Sequence, residues 1–75
     1  MESEHLVHMA NQIGQFFQGQ PDHAEALDGI AGHIHKFWAP RMRSALAQHM
    51  ASAGEADGLL PIVREALRGR IESLA

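Results

Sequence analysis

Apolar residues recur at intervals of three and four positions over four stretches of the chain, and no stretch alternates convincingly between apolar and polar residues. Intervals of three and four place apolar side chains on one face of a helix, whereas alternation is typical of a strand. The pattern therefore predicts helices over about residues 4–18, 23–37, 40–52 and 61–73. We expect residues 1–75 to form a single all-α domain, a small four-helix domain without strands.

The first two predicted helices carry the same apolar pattern, with apolar residues at offsets 0, 3, 4, 7, 10 and 11 from the first leucine. The pattern comprises Leu6, Met9, Ala10, Ile13, Phe16 and Phe17 in the first helix, and Leu27, Ile30, Ala31, Ile34, Phe37 and Trp38 in the second. In the third helix the spacing places Met42, Ala45, Leu46, His49 and Met50 on one side, and in the fourth it predicts that Val63, Ala66, Leu67, Ile71 and Leu74 face inward. A short segment containing glycine and proline joins the first two helices, which favours an antiparallel hairpin.

Polar and proline residues mark the predicted helix starts. Ser3 is a candidate N-cap of the first helix. Asp22 and Glu25 have the spacing of a capping box at the start of the second. Pro40 and Pro61 suit the first turn of the third and fourth helices, because the N–H that proline lacks would have no helical partner there.

Composition narrows the classes of protein to consider. The chain has 75 residues, a formal net charge of −3 and no cysteine, so it forms neither disulfides nor thiolate metal sites. Every charged residue before Lys36 is acidic, and the negative net charge of the whole chain disfavours a nucleic-acid-binding module. No apolar run approaches the ~20 residues of a membrane-spanning helix, and the N-terminus lacks the pattern of a signal peptide. We therefore expect a cytoplasmic protein.

The six histidines do not suggest a metal site. His5 and His8, three residues apart, are the only pair that could reach one metal together, whereas His33 and His35 point to different faces of a helix. A structural zinc site needs four ligands, and two histidines alone do not supply them. Motifs of enzymes are missing as well, since the sequence has no nucleophile elbow, phosphate-binding loop or dinucleotide fingerprint. We expect no catalytic residue, bound cofactor or bound metal in this chain, and solvated histidines except for His49 at the edge of the core.

The segment around Pro40 is the strongest candidate for a partner surface. Trp38 follows the second helix, and no Asp or Glu lies within four residues of Arg41 or Arg43. Cations are unfavourable at the positive end of a helix dipole, so we infer that this end of the third helix faces a partner. The predicted interface comprises Arg41, Arg43, Trp38 and Met42, together with Asn11 and Gln12, which lie off the first apolar stripe. Reversing both arginines to glutamate is expected to leave the isolated domain folded.

Several sequence blocks resemble one known family. They are Met9-Ala10-Asn11-Gln12-Ile13 with Phe16-Phe17, His33-Ile34, Lys36-Phe37-Trp38, Pro40-Arg41-Met42-Arg43, Leu60-Pro61 and Val63-Arg64-Glu65-Ala66. Together they resemble the delta subunit of bacterial NAD-dependent formate dehydrogenases, and the Phe-Trp-x-Pro-Arg-Met-Arg block is the specific part. The chain departs from that pattern at Ala39, where an acidic residue is usual, and at His35, where arginine is common.

The resemblance implies a non-catalytic accessory subunit of a cytosolic complex that oxidises formate to carbon dioxide and reduces NAD. A molybdenum or tungsten pterin cofactor, iron–sulfur clusters and flavin then belong to the larger subunits. The implied function is docking on the large catalytic subunit to support assembly, stability or cofactor insertion. Two other classes stay open: a small homo-oligomeric helical adaptor, and a helix-turn-helix nucleic-acid binder with residues 40–52 as its recognition helix.

Overall fold

The computed structural model describes residues 2–68, which form four helices and no strand. The helices are α1 (Ser3–Phe17), α2 (His23–Phe37), α3 (Pro40–Ala53) and α4 (Pro61–Leu67), with a short 3-10 helix at Gly54–Ala56. The predicted all-α fold is confirmed. The predicted fourth helix extends to residue 73, and its part beyond residue 68, including Ile71 and Leu74, lies outside the described residues.

All four helices contribute to one hydrophobic core. The largest fully buried side chains are Leu6 of α1, Ile30 and Ile34 of α2, Leu46 of α3, and Val63 and Leu67 of α4. Burying an aliphatic side chain of this size stabilises the fold by about 1.5–3 kcal/mol. α1 packs against α2, and each of them also contacts α4. The antiparallel orientation of α1 and α2 stays a prediction.

The observed helix starts agree in part with those predicted from the sequence. The Asp22 carboxylate accepts a hydrogen bond from the Glu25 backbone N–H at 3.1 Å and caps α2 as predicted. Pro40 and Pro61 occupy the first turns of α3 and α4. The prediction for Ser3 is wrong, because Ser3 is already helical and Glu2 precedes it without a side-chain cap.

One position of the repeated apolar pattern is solvent-exposed in both helices. Phe16 and Phe37, at offset 10 in α1 and α2, are 75% and 72% exposed. The buried residues of α1 are Leu6, Ala10 and Gly14, spaced four apart. At about 100° per residue, Phe16 lies roughly 120° from the centre of this buried face, which explains why Phe16 is exposed although it belongs to the apolar pattern. Phe37 is the last residue of α2.

Gly14 allows α1 and α4 to approach closely. A Cβ at this position would overlap a methyl group of Val63, and it would lie 3.6 Å from Ile62 and Leu60 side-chain carbons. Any other residue type would require the Val63 side chain or α4 to shift. The absence of a side chain is therefore part of how the last helix joins the core.

Candidate partner-binding surface

An open, mainly apolar groove runs between α1, α2 and the start of α3. It encloses about 530 Å³. Its lining residues are Met9, Gln12, Ile13, Phe16 and Phe17 of α1, His33 and Phe37 of α2, the following Trp38, and Met42 of α3. We call this feature the aromatic groove.

Ring contacts fix the shape of the aromatic groove. The Phe16 and Phe17 rings meet edge to face, with centroids 5.0 Å apart and planes at 89°. Phe17 covers the backbone at Gly29, where a Cβ would overlap its ring. On α2, the His33 and Phe37 rings lie 4.7 Å apart. Because Phe16 and Phe37 remain largely exposed despite these contacts, both rings offer apolar surface to another molecule.

Two residues of the predicted interface lie in this groove and also touch the core. Trp38 is buried, and Met42 packs against the core while remaining partly exposed. Trp38 forms the junction between the core and the groove, so it is not a free surface side chain. A substitution at Trp38 would disturb folding as well as any binding in the groove.

The two arginines of the predicted interface have different environments. Arg41 is exposed, whereas Arg43 is buried at 9% exposure. The Arg43 Nη1 group donates to the carbonyls of His35 at 2.8 Å and Trp38 at 3.1 Å, and its Nε has no partner. The carbonyls at the end of α2 lack helical partners and carry the negative end of its dipole. The expectation that both arginines lie at the surface is therefore wrong for Arg43, which joins α3 to α2.

Asn11 and Gln12, the other two residues of the predicted interface, also have different environments. The Asn11 amide accepts from the Leu60 N–H at 2.9 Å and donates to the Gly58 carbonyl at 3.1 Å. It thus fastens α1 to the segment before α4. Gln12 is exposed and lines the aromatic groove, whereas Asn11 is half-buried and lies outside the groove lining.

A polar cluster centred on Asp57, apart from the predicted interface, was not predicted from the sequence. Arg64 donates to both Asp57 carboxylate oxygens, at 2.6 and 3.0 Å, and Leu59 N–H donates to one of them at 2.9 Å. The hydrogen bond from Arg64, more than any other contact, lowers the pKa of the buried Asp57 carboxyl below its usual value. His49 Nε2 lies 2.8 Å from the Asp57 backbone carbonyl oxygen. Because a carbonyl oxygen only accepts hydrogen bonds, His49 is the donor. This cluster closes the loop between α3 and α4.

Sequence signals for that cluster were weak. Asp57-Gly58 is typical of a turn, and Gly58 indeed has a φ of 78°, which favours glycine. No local sequence pattern indicates that Asp57 pairs with Arg64, seven residues later. None indicates that the Asn11 side chain bonds to backbone groups 47 and 49 residues away. Only the folded chain brings these groups together.

Candidate metal ligands are dispersed over the described part of the chain. His5 and His8 are both exposed. Among residues 2–68, no three histidine, aspartate or glutamate side chains are grouped so that they could hold a metal ion. Within the same range, no helix is long and apolar enough to cross a membrane.

Comparison with known protein families identifies the group to which the chain is related. Residues 5–67 match the family described as NADH-dependant formate dehydrogenase delta subunit FdsD. Neither a curated protein nor a solved structure matched the chain. The family match covers α2, α3 and α4, most of α1 and all of the aromatic groove. The chain therefore belongs to the FdsD family of formate dehydrogenase delta subunits.

Proposed function

We propose that this chain is a non-catalytic accessory subunit that docks on the large catalytic subunit of a NAD-dependent formate dehydrogenase. Family membership supports the association with formate dehydrogenase. The observation that carries the docking is the exposure of two phenylalanines, Phe16 and Phe37, beside one apolar groove. Contiguous exposed apolar surface of this kind marks interaction sites on small proteins.

The role we assign is support of assembly, stability or cofactor insertion in a cytoplasmic enzyme. Formate oxidation and NAD reduction are assigned to the larger subunits, which carry the molybdenum or tungsten pterin cofactor, the iron–sulfur clusters and flavin. This chain has no cysteine to ligate an iron–sulfur cluster. Its acids serve local structure at two places, since Asp22 caps α2 and Asp57 pairs with Arg64.

The interface we propose differs from the one predicted from the sequence. Trp38, Met42 and Gln12 line the aromatic groove, and Arg41 is the exposed cation next to Met42. Arg43 and Asn11 already bond within the chain. We therefore assign docking to the groove with Arg41, and structural roles to Arg43 and Asn11.

Co-expression with the larger subunits tests this function. A tagged copy of the chain is expected to recover the large catalytic subunit, with formate-oxidising activity in the recovered material. A strain without the chain is expected to yield less assembled enzyme, or enzyme with a lower molybdenum or tungsten content. The proposal fails if the tagged chain recovers no large subunit and the deletion changes neither enzyme yield, activity nor metal content.

The same purification distinguishes an accessory subunit from the two other classes that the sequence left open. Recovery of the tagged chain with only untagged copies of itself would identify a homo-oligomeric adaptor. Recovery with nucleic acid that nuclease treatment removes would identify a nucleic-acid binder. Both outcomes contradict the accessory-subunit proposal.

A further inference from the structure

The charges beside the aromatic groove indicate what its occupant carries. We propose that the groove binds an amphipathic helix of the large catalytic subunit, with its apolar face between Phe16 and Phe37 and its acidic side chains toward Lys36 and Arg41. This inference rests on the proposed function, because it names the partner segment for the same surface.

Acidic residues are missing from the groove and from the adjoining chain. No Asp or Glu lines the groove, and none occurs between residues 29 and 54 of the sequence. Lys36 precedes Phe37 and Arg41 precedes Met42, and both cations are exposed. Both cations are thus adjacent in sequence to groove-lining residues at the junction of α2 and α3, on a chain whose net charge is −3. Complementary charge would direct an acidic partner to this end of the molecule.

Neither Lys36 nor Arg41 is neutralised by a neighbour in the described part of the chain. The ion pairs of His23 with Glu65 and of Asp57 with Arg64, both within residues 2–68, involve neither cation. The start of α3 also lacks a capping side chain and an acid in its first turn, so its dipole adds positive charge beside Arg41. A carboxylate on the partner would complement both charges at once.

The walls of the groove favour a helix as the occupant. Residues 2–68 form no strand, so no sheet edge is available there for an extended peptide to pair with. An amphipathic helix instead binds by placing side chains spaced three and four residues apart into a groove between helices. Met9 and Met42 lie in the lining, and the flexible methionine side chain adjusts to such a face.

A second copy of this chain suits the groove less well. In a symmetric dimer the same surface meets itself, so a second copy brings the same groove lining, in which no Asp or Glu occurs. An acidic partner instead supplies a charge that complements Lys36 and Arg41, which is why we assign the groove to the catalytic subunit.

Variants of exposed groove residues test the proposal in the co-expressed complex. Replacing both phenylalanines with serine (F16S/F37S), or replacing Arg41 with glutamate (R41E), is expected to lower recovery of the catalytic subunit by about tenfold or more. Replacing both phenylalanines with leucine (F16L/F37L) keeps an apolar surface and should retain recovery. Arg68→Glu is the matched charge control, because Arg68 is exposed and lies outside the groove.

Unchanged thermal unfolding of the isolated variants will establish that they fold. Wild-type recovery by folded F16S/F37S or folded R41E would overturn the groove as the docking site. If the wild-type chain itself recovers no catalytic subunit, the proposed function has failed rather than the groove assignment alone. These two failures are therefore distinguishable in one set of purifications.

Cross-linking identifies the occupant directly. A photoreactive amino acid at position 37 is expected to attach to a helical segment of the catalytic subunit with Asp or Glu beside its apolar face. Attachment to an extended segment, to a segment without acids, or to a second copy of this chain would contradict the proposal. Recovery of the wild-type complex should also decrease with added salt, since exposed charges contribute to it, and salt-insensitive recovery would argue against the acidic partner.

Discussion

Arg41 and Arg43 stand two residues apart, and the helix directs them to opposite environments. Two residues correspond to about 200° around a helix, so one side chain faces solvent while the other faces α2. The sequence alone shows two cations without nearby acids, and it does not show that carbonyls can replace those acids. Arg43 finds its partners in the backbone of the preceding helix.

Arg43→Met is expected to lower the free energy of unfolding by roughly 1–3 kcal/mol, because the His35 and Trp38 carbonyls lose a charged donor. Arg41→Met is the matched control, and its effect should stay within about 0.5 kcal/mol since Arg41 is exposed. Urea unfolding of the two variants measures the difference. Equal stability of both variants would show that the buried contacts of Arg43 contribute nothing.

Asp57 makes stability depend on pH. Its pKa is lowered in the folded chain, mainly by the hydrogen bond from Arg64, relative to an unfolded value near 3.8. A lowered pKa contributes stability above the unfolded pKa, and this contribution is lost as the pH falls through the folded pKa. The wild-type chain should therefore be destabilised below about pH 4.

Asp57→Asn removes that dependence. We expect this variant to be less stable at pH 7, by roughly 1–3 kcal/mol, and to lose less stability between pH 5 and pH 2 than the wild type. Denaturant titrations at several pH values check both statements. Parallel pH profiles of the two proteins would exclude Asp57 as a source of the acid sensitivity.

At the scale of elements, the close contact of α1 with α4 reverses an ordinary substitution rule. Gly→Ala within a helix usually stabilises it by about 0.5–1 kcal/mol. At Gly14 the new methyl group would overlap Val63, so Gly14→Ala should instead destabilise the fold by about 1–3 kcal/mol. Gly32→Ala on α2 is the control, because within residues 2–68 no atom beyond its adjoining residues and its own helix backbone lies within 4 Å of the place its methyl group would take, and it should stabilise the fold. Thermal or urea unfolding shows whether the two signs differ as expected.

The elements themselves were largely predictable because their apolar spacing is local. The sequence could not fix how far each helix rotates toward the core. In α1 the buried face centres on Ala10 and includes Gly14, which carries no hydrophobic side chain to signal it. The same rotation turns Phe16 to solvent, and so the groove emerged only with the structure.

At the scale of the whole molecule, core and candidate surface are continuous through Trp38. The sequence predicted a partner surface at residues 38–42 because aromatic and basic residues cluster there, and Trp38 and Met42 of this segment line the aromatic groove. It did not identify the contribution of α1 beyond Gln12, since a groove depends on how three elements pack. The Asp57 cluster was missed for the same reason.

No metal is expected to support this fold. His5 and His8 are exposed, and no ligand group of three is found within residues 2–68. The thermal midpoint should therefore be the same with and without a chelator, because structural metals stabilise only where a full ligand set is bound. Stoichiometric zinc in the purified protein, with a lower midpoint after chelation, would contradict this expectation.

The bond from the Leu60 N–H to the Asn11 side chain has a consequence for hydrogen exchange. Leu60 precedes α4 and lies outside any helix, yet its amide is held by a residue 49 positions away. Such an amide exchanges with deuterium only when the two segments separate. We expect Leu60 to exchange as slowly as the core amides of α2, at the rate set by global unfolding. A residue in a loop would then report on the cooperativity of the whole domain.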